Sequence, residues 1–251
     1  MADLDRNYAQ RTTVGRTETG AIDQGLRAYM LRVYNYMAIG VAITGLVAYM
    51  TYSMAVVPTD AGLQLTSFGT FIFASAFKWV VIFAPLAMVF FLSARINSMS
   101  LGTAQIAFWV FAGLMGLSIS SIFLVYAHAS IARVFFISAA SFGALSLYGY
   151  TTGRDLSSWG SFLFMGLIGI IIASLVNLFV ASTALQFAVS VIGVLIFAGL
   201  TAYDTQQIKE MYYVGDDGTV AGRKAVMGAL RLYLDFVNLF MMLLQLFGDR
   251  R

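Results

Sequence analysis

The sequence predicts an all-α, polytopic membrane protein, and three observations carry that prediction. The chain of 251 residues is 60% hydrophobic and only 11% charged, where an ordinary soluble domain is about a quarter charged. Its apolar residues gather into seven windows, each near the ~20 residues that a helix needs to cross the hydrocarbon. Its Lys and Arg residues divide unevenly between alternate connections of those windows, as they do in membrane proteins with a fixed orientation. A water-soluble fold of mean hydropathy +0.82 would leave large apolar patches in contact with water.

In chain order, "MADLDRNYAQRTTVGRTETG" is polar and lacks the apolar core and small-residue cleavage site of a signal peptide. Residues 1–25 are expected to form a flexible cytoplasmic tail, and residues 26–251 a seven-helix membrane domain. The seven windows are 32–54, 78–94, 103–126, 131–150, 159–181, 184–207 and 225–247. Between the first two, "AGLQLTSFGTFIFASAF" (61–77) is short and rich in Ser, Thr and Gly, so an outer, partly interfacial loop is expected there. The 23 Gly and two Pro suit packed membrane helices, where small residues permit close approach. The 13 Met and the many aromatics are bulk for lipid contact and core filling. No internal repeat supports an inverted-repeat transporter plan.

With the N-terminus inside, one side of the membrane holds Arg6, Arg11, Arg16, Arg27, Arg32, Arg95, Arg154, Lys209, Arg223 and Lys224. The other side holds Lys78, Arg133, Arg250 and Arg251. The richer side is expected to be cytoplasmic, which puts the C-terminus outside. The net charge of +3 therefore reads as topology, and nucleic acid is not an expected partner. The absence of Cys excludes disulfide, thiol and iron–sulfur chemistry. The single His, His128, excludes a multi-histidine metal site and reads as a lone outer surface residue.

Ten of the twelve acids fall in the tail or in connections. The other two are Asp204, in "LTAYDTQQIK", and Asp235, in "LYLDFVNLF". Charged residues within a span are costly and usually functional. The midpoint of positions 204 and 235 falls between Thr219 and Val220, inside "GDDGTVAG" (215–222), which reads as the turn between spans six and seven. Antiparallel helices joined there would carry both carboxylates at one depth, roughly 15–20 Å from the hairpin tip at 1.5 Å per residue. Two such groups in a low-dielectric site cannot both ionise cheaply, so they tend to share a proton. The pair can then act as a pH-sensitive latch or hold a cation, and carboxylate oxygens suit calcium. Two other readings stand beside this one. Asp204 can sit at the interface or cap a helix end. Asp235 can pair with Arg231, four residues earlier on the same face, unless Arg231 snorkels to the surface.

"FAGLTAYDTQQIK" and "ALRLYLDFVNLF" resemble the two signature helices of the Bax inhibitor-1 family, bacterial branch. Further similarity runs through "RAYMLRVYNYMAIGVAITG", "FAGLMGLSISSIF", "SFGALSLYGYTTGRDLSSWGSFLFMGLIGIIIASLVNLF" and "LLQLFG", covering roughly residues 25–248. The resemblance implies seven helices with the seventh central. It also implies a pH-sensitive calcium leak of the bacterial inner membrane, with Asp204 and Asp235 as the pH-sensing, gating dyad and a transient calcium site. No tightly bound cofactor is implied, calcium being the permeant ion. An Arg near the end of helix two bonds the dyad in this family, and Arg95 is the matching position, although "SARINSMS" departs from the basic cluster of some relatives. Arg231 stands where the family often has a small or neutral residue.

Two acids on successive spans also resemble an intramembrane aspartyl protease. That family wants Gly-x-Gly-Asp and Pro-Ala-Leu motifs, and "LYLD" supplies neither, so the chain is not expected to be an enzyme. The rival reading is a membrane interaction protein that regulates a membrane protease or a stress response through a protein partner. Elsewhere, Asp155 is expected to cap the fifth span, and Asp216 and Asp217 to lie in a solvated turn. Asn177, Asn238 and Gln245 are expected to form hydrogen bonds between helices, with Asn238 able to orient Asp235.

Overall fold

The computed structural model of the protein describes residues 2–59 and 62–251, with side chains from residue 24 onward. Among the described residues seven helices are long and apolar enough to cross a membrane. They are α1 (Ala2–Ala55), α2 (Phe77–Arg95), α3 (Leu101–Ile119), α4 (His128–Thr151), α5 (Ser157–Val180), α6 (Thr183–Glu210) and α7 (Gly218–Phe247). The chain is thus a multi-pass, nearly all-α membrane protein, as its hydropathy predicts. The expected tail, residues 1–25, lies almost wholly outside the residues with described side chains.

The helix ends follow local chemistry. Ser100 caps α3 by accepting from the Thr103 amide, and Ser182 caps α6 by accepting from the Leu185 amide. Such caps satisfy amides that have no partner within the helix. Ahead of α5, the Asp155 carboxylate accepts from the Ser157 amide at 2.8 Å. Hydrogen bonds from Ser157 hold the Asp155 carboxyl below the usual carboxylate range, so the capping expectation is met one residue before the formal cap.

The segment expected to be an outer loop has more structure than its composition suggests. Strands β1 (Val56–Thr59) and β2 (Gly62–Leu65) pair antiparallel, from Val56 opposite Leu65 to Thr59 opposite Gly62. A helical turn, Ser67–Gly69, and a π-turn, Thr70–Ala74, then lead into α2. Val57, Leu63 and Leu65 are exposed on the hairpin. Strand pairing here is a contact between two short segments, which a hydropathy window does not detect.

Helix α7 occupies the centre of the bundle. Two-thirds of its most apolar window is buried, 67% against 33% or less for every other span. It packs against α6, α1, α4 and α3. Leu232, Tyr233, Leu239 and Leu244 are fully or almost fully buried around its circumference. Its basic residues Arg223, Lys224 and Arg231 lie towards the α6–α7 turn, and the stretch beyond them is the most buried of any span. At the periphery, α5 packs chiefly on α6, and α2 chiefly on α3.

Close crossings depend on small residues. A side chain at Gly149 of α4 would collide with the Ala202 carbonyl of α6, and one at Gly116 of α3 with the Thr44 carbonyl of α1. Hydroxyls tie the helices further. Tyr34 of α1 meets Ser146 of α4 at 2.7 Å, and Ser146 meets Thr205 of α6 at 2.9 Å. Thr44 meets the buried Tyr233 hydroxyl at 2.6 Å and donates to the Ala112 carbonyl of α3 at 2.9 Å. The expected amide contacts are only partly of this kind. Ser190 donates to Gln245 across α6 and α7 at 2.8 Å. Asn177 instead accepts from the Ser182 amide in the α5–α6 turn, and Asn238 donates to Leu234 on its own helix. An amide near a carbonyl one turn back satisfies itself locally before it reaches a neighbour.

The C-terminus is stitched to the α3–α4 connection. The Ala127 amide donates to the Asp249 carbonyl, the Arg251 amide to Val125, and the Asp249 amide to Ser130. His128 lies exposed at this end, edge-on to Tyr52 and Phe123.

Candidate functional site

The site is built on the α6–α7 hairpin, whose turn differs from the expected one. The turn is 211–217, and "GTVAG" is already helix. Asp217 starts α7 by accepting from the Thr219 and Val220 amides at 2.9 and 2.7 Å. Asp216 pairs with Lys224 at 2.5 Å. Both acids therefore organise the helix start rather than occupying a merely solvated turn. Lys224 also donates to the Met211 carbonyl at 3.1 Å, and Ile208 packs on Gly228. The end of α6 is thus level with the second and third turns of α7, and that offset brings positions 204 and 235 together.

The face of α6 that carries Thr201 and Thr205 is buried, and Thr205 is bonded to Ser146. Gln206 accepts from the Leu156 amide and donates to the Arg154 carbonyl, both at 2.8 Å, which clamps the α4–α5 connection. These contacts fix the rotation of α6 and turn Asp204 toward α7. Asp235 is 5% exposed. Asp204, on α6, is partly buried. Asp235 Oδ2 is buried with no hydrogen-bond partner.

Asp204 and Asp235 line a cavity of about 1090 Å3 together with Tyr203, Arg231 and Asn238. Arg231 thus shares one cavity with both carboxyls. The ion pairs among the described residues are Arg133–Asp249 and Lys224–Asp216, so Arg231 does not bridge to Asp235. The i, i+4 salt bridge left open by the sequence is not formed. Arg95 is exposed at the end of α2 and is not among the residues lining this cavity. Asn238 faces the cavity, but its amide nitrogen is held by the Leu234 carbonyl.

Sequence reasoning did not single out Tyr34, Ser146, Thr205 or Gln206. Each is a polar group on a buried helix face, and the signal is its phase relative to the apolar stripe. Among the described residues no cluster of three or more His, Cys, Asp or Glu side chains is suited to holding a metal. Two carboxylates supply at most four oxygens of the six to eight that calcium takes. A cation at this pair would keep much of its water.

Comparison with known proteins gives a consistent family. Residues 26–251 match the family model described as inhibitor of apoptosis-promoting Bax1. An uncharacterized protein of Rickettsia prowazekii is 50% identical over 240 residues, 96% of each chain. The inner membrane protein YbhL of Escherichia coli K12 is 48% identical over 229 residues, 90% of this chain and 94% of that one. An uncharacterized protein of Caulobacter vibrioides is 42% identical over the full length of both. With nearly every described residue inside the matched range, the chain belongs to the Bax inhibitor-1 family of membrane proteins.

Proposed function

We propose that this protein is a pH-sensitive calcium leak of the cytoplasmic membrane, gated by Asp204 and Asp235, and not an enzyme. The observation that carries the reading is the buried, unpartnered Asp235 oxygen in one cavity with a second carboxyl group, with neither acid in an ion pair among the described residues. Two unit negative charges ~4 Å apart repel by about 4 kcal/mol at an effective dielectric near 20. That is a large fraction of a typical folding stability of about 5–15 kcal/mol. At acidic pH the pair shares a proton and holds α6 to α7. As pH rises the shared proton leaves, repulsion favours separation of the helices, and a partly hydrated calcium ion relieves it.

The name of the E. coli relative supports an inner-membrane location. The Lys and Arg distribution supports a cytoplasmic N-terminus. The test is calcium flux into proteoliposomes across a pH series, for the wild type and for Asp204→Asn, Asp235→Asn and the double variant. Flux through the wild type is expected to rise with pH, and each variant to flatten that dependence. A wild-type profile that survives in the double variant would refute gating by the pair and favour the interaction-protein reading.

A further inference from the structure

Arg231 lines two cavities at once. The first is the large one described above. The second, of about 260 Å3, lies at the end of the bundle that carries the α6–α7 turn, and is lined by Asn97, Met211, Arg223, Lys224 and Arg231 among others. We propose that the two cavities together bind one anionic phospholipid from the adjoining leaflet. Its phosphate sits on Arg231 in the small cavity, and one acyl chain lies in the large cavity between α2 and α5.

Charge is the first support. The small cavity brings together three cations, and one acid, Asp216, opposes them through Lys224. Arg223 is positioned by the Asn97 and Met99 carbonyls at 2.7 and 3.2 Å. Neutral carbonyls leave its charge uncompensated. Among the described residues Arg231 has no ion-pair partner, and a guanidinium is a preferred partner for phosphate. Basic pockets between membrane helices at the headgroup level bind lipid phosphates in this way.

Shape is the second support. Leu86 and Val89 of α2 and Phe164, Leu167, Ile171 and Leu175 of α5 form much of the large cavity wall. These two helices pack chiefly on α3 and α6 respectively, and not closely on each other. The cavity therefore opens sideways toward the bilayer, and its volume is at the upper end of what holds a drug-sized molecule. Asp204, Asp235 and Asn238 line the α6–α7 side of the cavity, whereas its α2–α5 side is mostly apolar and borders hydrocarbon, so an acyl chain is the natural filler on that side. The shared residue sets the occupant's polarity, since a headgroup at Arg231 directs its chain toward α5. A lipid so placed covers the Asp204–Asp235 cavity, but its binding does not depend on calcium passage.

The test uses the full-length protein in mild detergent and native mass spectrometry. The probes are phosphatidylglycerol, phosphatidylcholine with the same chains, and inorganic phosphate. Both lipids carry the phosphate, but the choline ammonium is opposed by Arg223, Lys224 and Arg231, so phosphatidylglycerol is expected to bind about tenfold more tightly than phosphatidylcholine. Arg231→Gln is expected to remove that preference. Ser174→Trp, which fills the apolar cavity without changing charge, is expected to weaken both lipids. Equal binding of the two lipids by the wild type, an unchanged preference in Arg231→Gln, or displacement of phosphatidylglycerol by millimolar inorganic phosphate would each overturn the proposal.

Discussion

Arg231 and Asp235 stand one helical turn apart on α7 and form no ion pair. The guanidinium lies where the two cavities meet, exposed, while the carboxyl is buried against α6. Arg231 therefore influences the acid pair only through space, and its removal separates electrostatics from structure.

Arg231→Gln is expected to change stability little, within about 0.5 kcal/mol, as for an exposed substitution. Its effect on the pH response has a definite sign. A nearby positive charge favours the ionised carboxylates, so without it the shared proton is held to higher pH. The midpoint of the flux–pH curve is expected to move upward, by as much as about one unit if the lost attraction is ~1.4 kcal/mol. A downward shift, or a large loss of melting temperature with no shift, would contradict the through-space role.

The Tyr233–Thr44 contact predicts an asymmetry between its two partners. In Tyr233→Phe, Thr44 keeps the Gly40 and Ala112 carbonyls as acceptors, and the loss is about 1 kcal/mol. In Thr44→Val, a fully buried Tyr233 hydroxyl is stranded, which costs about 1–3 kcal/mol. Thermal unfolding in detergent should rank Thr44→Val as the less stable variant.

Two glycines of α4 should respond oppositely to alanine. A Cβ at Gly149 meets the α6 backbone at Ala202, whereas one at Gly143 meets nothing within 4 Å. Gly149→Ala is expected to force α4 and α6 apart and lower the melting temperature. Gly143→Ala is expected to raise stability by up to about 1 kcal/mol through helix propensity alone. Equal effects would show that the α4–α6 crossing is not limited by that contact.

An odd number of spans predicts termini on opposite sides of the membrane. Reporter fusions should place the N-terminus in the cytoplasm and Arg251 outside, following the Lys and Arg asymmetry. Signals from the same side would mean that one of the seven helices does not cross.

Transfer of apolar side chains into hydrocarbon is close to additive along the chain, so the sequence alone determined the seven spans and isolated Asp204 and Asp235 as the acids within them. Its two signature segments also pointed to the family. Rotation and axial offset are not local quantities. The start of α7 at Gly218 came from the Asp217 cap, and the level of Asp235 against Asp204 from the packing of Ile208 on Gly228. The β1–β2 hairpin depends on a pairing that hydropathy does not register. Which charge meets which acid was settled only in three dimensions. Arg231 is one turn from Asp235 in sequence, yet the tertiary structure directs it to the mouth shared by two cavities, because the neighbouring faces of α7 are taken up by the core. Arg95 is carried to the exposed end of α2, and the opening between α2 and α5 exists only because each of these helices packs against a different neighbour.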